Sequence, residues 1–166
     1  MEQQHYLDPL QEKKLPGSIN VLTILTFIGC GLNLLSGVWG FLKAQKSYED
    51  MQKLMNSDTI EKMPGIFKSM FTPEMLEVSR KSYENRLPIL IITLVSTALC
   101  LYGAIEMRRL KGVGYWEWLA GELLPFLATI LFVGVAAFTG FFMWIAICIV
   151  LVFVILYTLQ RKYLDK

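Results

Sequence analysis

The chain has 166 residues, of which 54% are hydrophobic, 13% aromatic and 18% charged, with a formal net charge of +2. Soluble domains carry about 25% charged residues, so this balance excludes an ordinary soluble globule. Most of the apolar residues fall in four continuous runs, each close to the roughly 20 residues that a helix needs to cross a bilayer core. Continuous runs lack the alternation of barrel strands, and four helices apolar on every side cannot all be buried in one soluble bundle. The expected fold class is all-α: an integral membrane four-helix bundle with a helical extracytoplasmic segment between helices 1 and 2. Lipid bilayer is therefore the first expected partner.

Residues 1–17 read as a polar cytoplasmic tail in which His5, Lys13 and Lys14 are solvated. Helix 1 is expected over 18–42. Its apolar stretch is too long for the core of a secretory signal, and no small-x-small cleavage site follows it. After "FIGC" at Phe27 to Cys30 the hydrophobic sequence continues where a lipoprotein would turn polar, so the run reads as a retained span. Gly29, Asn33 and Gly37 recur every four residues on one face. Small residues there admit a close neighbour, and Asn33 can hydrogen-bond across the contact for on the order of 1 kcal/mol.

Residues 43–87 form the extracytoplasmic segment, with eight Lys or Arg against seven Asp or Glu, a balance that creates no strong field for nucleic acid or anionic lipid. "KAQKSYEDMQKLM" consists of good helix formers, and Thr72-Pro73-Glu74 reads as an N-cap, a first-turn proline and an early acid. The second helix of this segment is expected to run through "EMLEVSRKSYENR" towards helix 2, with Pro88 marking a kink or break. Between the two, Ile66, Phe67, Met70 and Phe71 form an apolar patch that caps the bundle's outer end or docks on a partner or on lipid.

Helix 2 is expected over 88–107, a basic link over 108–114, helix 3 over 115–138, an outer turn at 139–140, helix 4 over 141–160 and a tail over 161–166. The topology-setting residues Arg108, Arg109 and Lys111 in the link, and Arg161 and Lys162 at the end, fall on one side of four spans together with Lys13 and Lys14. The positive-inside rule then puts both termini in the cytoplasm.

Helix 3 carries the carboxylates that invite a functional reading. Glu117 lies in its first turn among Tyr115, Trp116 and Trp118, at interface depth, where Arg108, Arg109 or Lys111 can pair with it. Glu122 lies about 12 Å farther in, by the 1.5 Å rise per residue. A carboxylate at that depth costs several kcal/mol unless it is paired, hydrated or protonated. Tyr102 and Glu106 of helix 2 and Tyr157 and Thr158 of helix 4 are its expected neighbours. Gly121, Pro125 and Ala128 form a packing face, expected to meet the Gly29, Asn33 and Gly37 face of helix 1. Pro125 leaves the Gly121 carbonyl without its helical donor, and so creates a local polar pocket.

Cys30, Cys100 and Cys148 lie in different spans and give no disulfide framework. No Walker loop, dinucleotide glycine pattern or zinc-type spacing is present, so neither cofactor nor metal is expected and no catalytic constellation is seen.

"LPGSINVLTILTFIGCGLNLLSG" and "RRLKGVGYWEWLAGELLP" together resemble a diffuse group of small, uncharacterised bacterial four-span inner-membrane proteins. In that group a Leu-Pro-x-Ser opening of the first span and a Lys-Gly-x-Gly-aromatic opening of the third recur. The resemblance implies a multi-pass protein of the bacterial inner membrane and no particular activity. The expected function is a non-enzymatic accessory or scaffolding subunit that packs against other membrane proteins or its own copies. The alternative is a small proton-coupled carrier using Glu122. A third reading, a membrane enzyme using Glu106, Glu117, Glu122 and Tyr102, lacks a nucleophile or metal set.

Overall fold

A computed structural model describes residues 15–57 and 72–164. The apolar patch at Ile66, Phe67, Met70 and Phe71 and the tail with His5, Lys13 and Lys14 lie outside the described residues. Every regular element among the described residues is helical: α1 (Gly17–Met55), α2 (Pro73–Glu84), α3 (Arg86–Arg108), α4 (Val113–Ala128) and α5 (Phe141–Gln160). The expected helices 2, 3 and 4 correspond to α3, α4 and α5.

α1 does not end where its apolar run ends. Beyond Leu42 the sequence offers good helix formers and no proline or glycine, so the helix continues for 39 residues in all. That is about 58 Å at 1.5 Å per residue, roughly twice a hydrocarbon core.

α2 starts as its sequence predicts. The Thr72 hydroxyl accepts from the Met75 N–H at 3.3 Å, Pro73 occupies the first turn, and Glu74 follows. The break before α3 falls at Asn85 rather than at Pro88. Pro88 sits in the first turn of α3, where a backbone N–H has no helical acceptor and its loss costs nothing. The Asn85 side chain donates to the carbonyls of Lys81 (2.9 Å) and Phe132 (3.2 Å), tying this junction to the far end of the α4 span.

The α2 surface is laced by Lys81 to Glu77 (3.0 Å) and Arg80 to Glu84 (3.3 Å). The Lys81 ammonium holds the Glu77 carboxyl below the usual glutamate range, and backbone and Thr72 hydrogen bonds do the same for Glu74. A carboxyl depressed in the folded state favours folding above its unfolded value of about 4.3 and ceases to do so as pH falls through its folded value. Amide protection in α2, corrected for intrinsic exchange, should therefore hold from pH 8 to 6 and decline below about pH 4. Constant protection at acid pH would show that these pairs do not hold the helix.

α3 and α4 form an antiparallel pair whose backbones nearly touch. A Cβ built on Gly103 would lie 2.5 Å from the Trp118 nitrogen, one on Gly114 2.5 Å from the Gly103 oxygen, and one on Gly121 2.6 Å from the Cys100 sulfur. The reversal between them is tight because Leu110 adopts a left-handed conformation (φ 61°). The expected helix over 115–138 stays α-helical only to Ala128. It then widens into a π turn, Thr129–Val133, breaks at Gly134 (φ 102°), and tightens into a 3-10 turn, Val135–Thr139. Glycine permits that break, since side chains rarely adopt the positive φ.

α1 packs along α3, not along the α4 span as expected from its small residues. The small face of α4 is already filled by Ser96, Cys100 and Gly103 of α3, which leaves α1 the other side of α3. Gly37 meets Thr93 there. α5 is fastened at one end, by Thr26 to Tyr157 (2.7 Å), Tyr115 to Thr158 (2.9 Å) and Ser18 to Gln160 (2.7 Å). We call this the turn end, since it also holds the α3–α4 reversal, and the opposite one the α2 end.

Four helices are long and apolar enough to cross a membrane: Gly17–Met55, Arg86–Arg108, Val113–Val133 and Met143–Tyr163. The last has the highest mean hydropathy, 2.5, yet only 6% of its apolar window is buried against 22–28% in the others. Such a helix needs an apolar solvent.

Candidate functional site

The four long helices line a cavity of about 420 Å³, part of it open to the surface, whose walls include Thr26, Gly29, Cys30 and Asn33 of α1, Ser96, Thr97 and Cys100 of α3, Glu122 and Phe126 of α4, and Phe153 of α5. Glu122 follows Gly121, which is pressed against α3, so one residue's rotation turns the carboxylate off that contact and into the cavity. It is half-buried, and the Cys100 thiol lies 3.9 Å from its Oε1. Among the described residues no lysine or arginine pairs with it.

The polar pocket expected beside Pro125 is closed from within. Ser96 Oγ donates to the Gly121 carbonyl at 2.8 Å and replaces the helical donor that Pro125 removes. Thr97 is likewise occupied, donating to the Thr93 carbonyl at 2.8 Å. Asn33 faces the cavity and makes no hydrogen bond among the described residues. Its expected bond across a helix contact is not formed, because α4 is not the neighbour of α1. Gly29 has no atom within 4 Å of a built Cβ and lines the cavity instead of packing, whereas Gly37 and Gly121 do admit close neighbours.

Towards the turn end from Glu122 lies a layer of Ile19, Met107, Trp118 and Tyr157, each at most 1% exposed. The rings of Trp118 and Tyr157 lie 4.5 Å apart. Towards the α2 end a second cavity of about 1160 Å³ follows, and the two share Pro125 and Ala146 in their walls. The carboxylate is thus walled off on one side and faces open space on the other.

The neighbours expected for Glu122 lie elsewhere. Tyr102 is 53% exposed on the outer surface of α3. Tyr157 bonds Thr26, and Thr158 bonds Tyr115. Glu106 is buried in the reversal, held by Arg109 (2.9 Å) and Lys111 (2.6 Å), so these two bases pair with Glu106 and not with Glu117. Arg108 reaches the Thr23 hydroxyl at 3.5 Å and the Phe27 ring. Arg161 lies over Tyr115 and Trp116, and Lys162 over Tyr163. Glu117 is half-buried, with Oε2 unbonded among the described residues. The physical reason is register: with Gly103 set against Gly114 and Trp118, Glu122 falls opposite Ser96 and Cys100, deeper than Tyr102 and Glu106.

The sequence reading missed Gly103, Ser96 and the packing role of Gly114, and took Trp118 for an interfacial aromatic where it is fully buried. The seven-residue spacing of Gly114 and Gly121 was the available signal for a close-packed face. It also missed that Cys30 and Cys100, in separate helices, bring their thiols together beside Glu122. Among the described residues no group of three His, Cys, Asp or Glu side chains is placed to hold a metal ion.

Fold and site together define the class: an all-helical protein with four helices able to cross a membrane and a cavity between them lined by a carboxylate. No family model, curated protein or solved structure matches the chain.

Proposed function

We propose that the chain is a multi-pass membrane protein that binds and carries a proton or small cation on Glu122. The observation that carries this is that Glu122 lines a cavity, with the buried Trp118 and Tyr157 layer on its turn side, and pairs with no lysine or arginine among the described residues. A carboxyl kept only to clamp helices needs a strong partner, and a thiol is a weak donor. A carboxyl that must exchange its proton or ion needs space instead. Arg108, Arg109, Lys111, Arg161 and Lys162 gather at the turn end, which the positive-inside rule assigns to the cytoplasm, so the cavity opens to the outside. Passage to the cytoplasm requires the Trp118 and Tyr157 layer to part.

The test is proton flux into liposomes holding the purified chain and a trapped pH dye, under an imposed membrane potential. Glu122→Gln should abolish the flux and leave thermal stability unchanged. A parent chain that leaves the internal pH constant, or a variant that keeps the flux, overturns the proposal.

A second reading, an accessory or scaffolding subunit, is favoured by α5, whose apolar surface is almost entirely unburied within the chain. Mass measurement after purification in mild detergent tests it; a lone monomer with no co-purifying protein counts against it.

A further inference from the structure

We propose that the cavity at the α2 end is a binding site for one anionic phospholipid, whose headgroup phosphate sits on Arg86 with Lys43 and Lys46 while an acyl chain runs inward between the helices. The site rests on the reading of the chain as a membrane protein, and is independent of what Glu122 carries.

Chemistry divides this cavity by depth. Its inner walls are apolar, with Ile89, Ile92, Ala128, Val133 and Met143 among them. Its charged residues are Lys43, Lys46, Arg86 and Asp50, three cations against one carboxylate. The near-neutral balance of residues 43–87 conceals this. The α2 acids Glu77 and Glu84 pair with the α2 bases Arg80 and Lys81, so they do not offset the cations at the cavity rim.

Arg86 is the centre of the site. It is half-buried and joins no ion pair among the described residues. Its guanidinium lies over the rings of Tyr83 (4.9 Å) and Phe41 (5.5 Å), and Tyr83 is in turn stacked on Tyr48. Aromatic packing fixes the plane of the guanidinium and leaves its N–H edge to take a phosphate by two parallel hydrogen bonds. Lys43 lies over Trp39 at 4.2 Å, the cation and aromatic pairing typical of headgroup depth. Both bases sit where the apolar runs begin or end, Lys43 just after Leu42 and Arg86 two residues before Pro88.

The occupant follows from the solvent. An apolar cavity of about 1160 Å³ at membrane depth is large enough for a chain-bearing molecule, and acyl chains are what surround it. Among the described residues the side-chain hydrogen bonds joining α1 to α5 lie at the turn end, and towards the α2 end both helices line the cavity, α1 with Gly37 and Gly40 and α5 with Met143 and Ala146. A lipid can enter there sideways, with its headgroup at the rim.

The test is native mass spectrometry of the full chain in mild non-ionic detergent, titrated with phosphatidylglycerol and, separately, with phosphatidylcholine of the same chains. The parent chain should retain one phosphatidylglycerol and little phosphatidylcholine. Arg86→Gln with Lys46→Gln should weaken retention about tenfold, the loss expected for charge-assisted bonds to phosphate. Arg86→Lys, which keeps the charge without the fork, should fall between. Circular dichroism melting confirms that each variant is folded; if the double variant does not fold, Arg86→Lys with equal retention to the parent overturns the site. So does equal retention of the two lipids. Release of the parent chain from native membranes by alkaline carbonate overturns the membrane reading itself, whereas firm insertion with unselective lipid retention overturns the site alone.

Discussion

Gly103→Ala should lower the stability of the chain by about 3 kcal/mol, the upper end of the range for overpacking. The added methyl would lie 2.5 Å from the Trp118 nitrogen and 2.6 Å from the Gly114 oxygen. Both are backbone atoms and neither can rotate away, so the α3–α4 pair must separate along its length. Gly29→Ala is the matched control, since nothing lies within 4 Å of its Cβ. That variant should be neutral or gain up to about 1 kcal/mol from helix propensity. Thermal or denaturant unfolding in detergent micelles reads both, and equal stabilities would mean that the two helices are not in backbone contact at Gly103.

Trp118→Ala should cost about 3–5 kcal/mol, as for other buried tryptophans. Trp118 is fully buried, packs on Tyr157, and has Gly103 against its backbone, so it joins α3, α4 and α5 at one point. Its indole N–H has no hydrogen-bond partner among the described residues. Trp118→Phe removes that unsatisfied donor while keeping a ring, and the relief of desolvation offsets part of the lost area, leaving a loss within about 1 kcal/mol. The same unfolding measurement separates the two variants. A phenylalanine variant as unstable as the alanine one would show that the indole nitrogen does have a partner.

The parts of this fold legible in the sequence are those that hydropathy and local chemistry decide. Four continuous apolar runs announce four long helices, and Thr72-Pro73-Glu74 announces the start of α2 because the cap is made by adjacent residues. What hydropathy reports is depth, not direction around a helix axis. A helix that is apolar all round presents no preferred face, so small residues were the remaining guide, and they led helix 1 to the wrong neighbour. The partner of Gly121 depends on the register set by the reversal at Leu110, a left-handed residue that no propensity announces. For the same reason Glu122 could be read as lying deep and its surroundings could not: the register sets it opposite Ser96 and Cys100, and leaves Tyr102 and Glu106 nearer the turn end. The length of α1 escaped because the end of an apolar run was taken for the end of a helix, although no breaker follows Leu42.

That length has a mechanical consequence. Thr26, Cys30 and Asn33 at the Glu122 cavity, and Lys43, Lys46 and Asp50 beyond it, are carried on one rigid rod with no joint between them. A tilt of about 10° about the Gly17 end swings Met55 through about 10 Å, given a rise of 1.5 Å per residue. α1 is a lever, with its short arm tied to Tyr157 and its long arm at the α2 end.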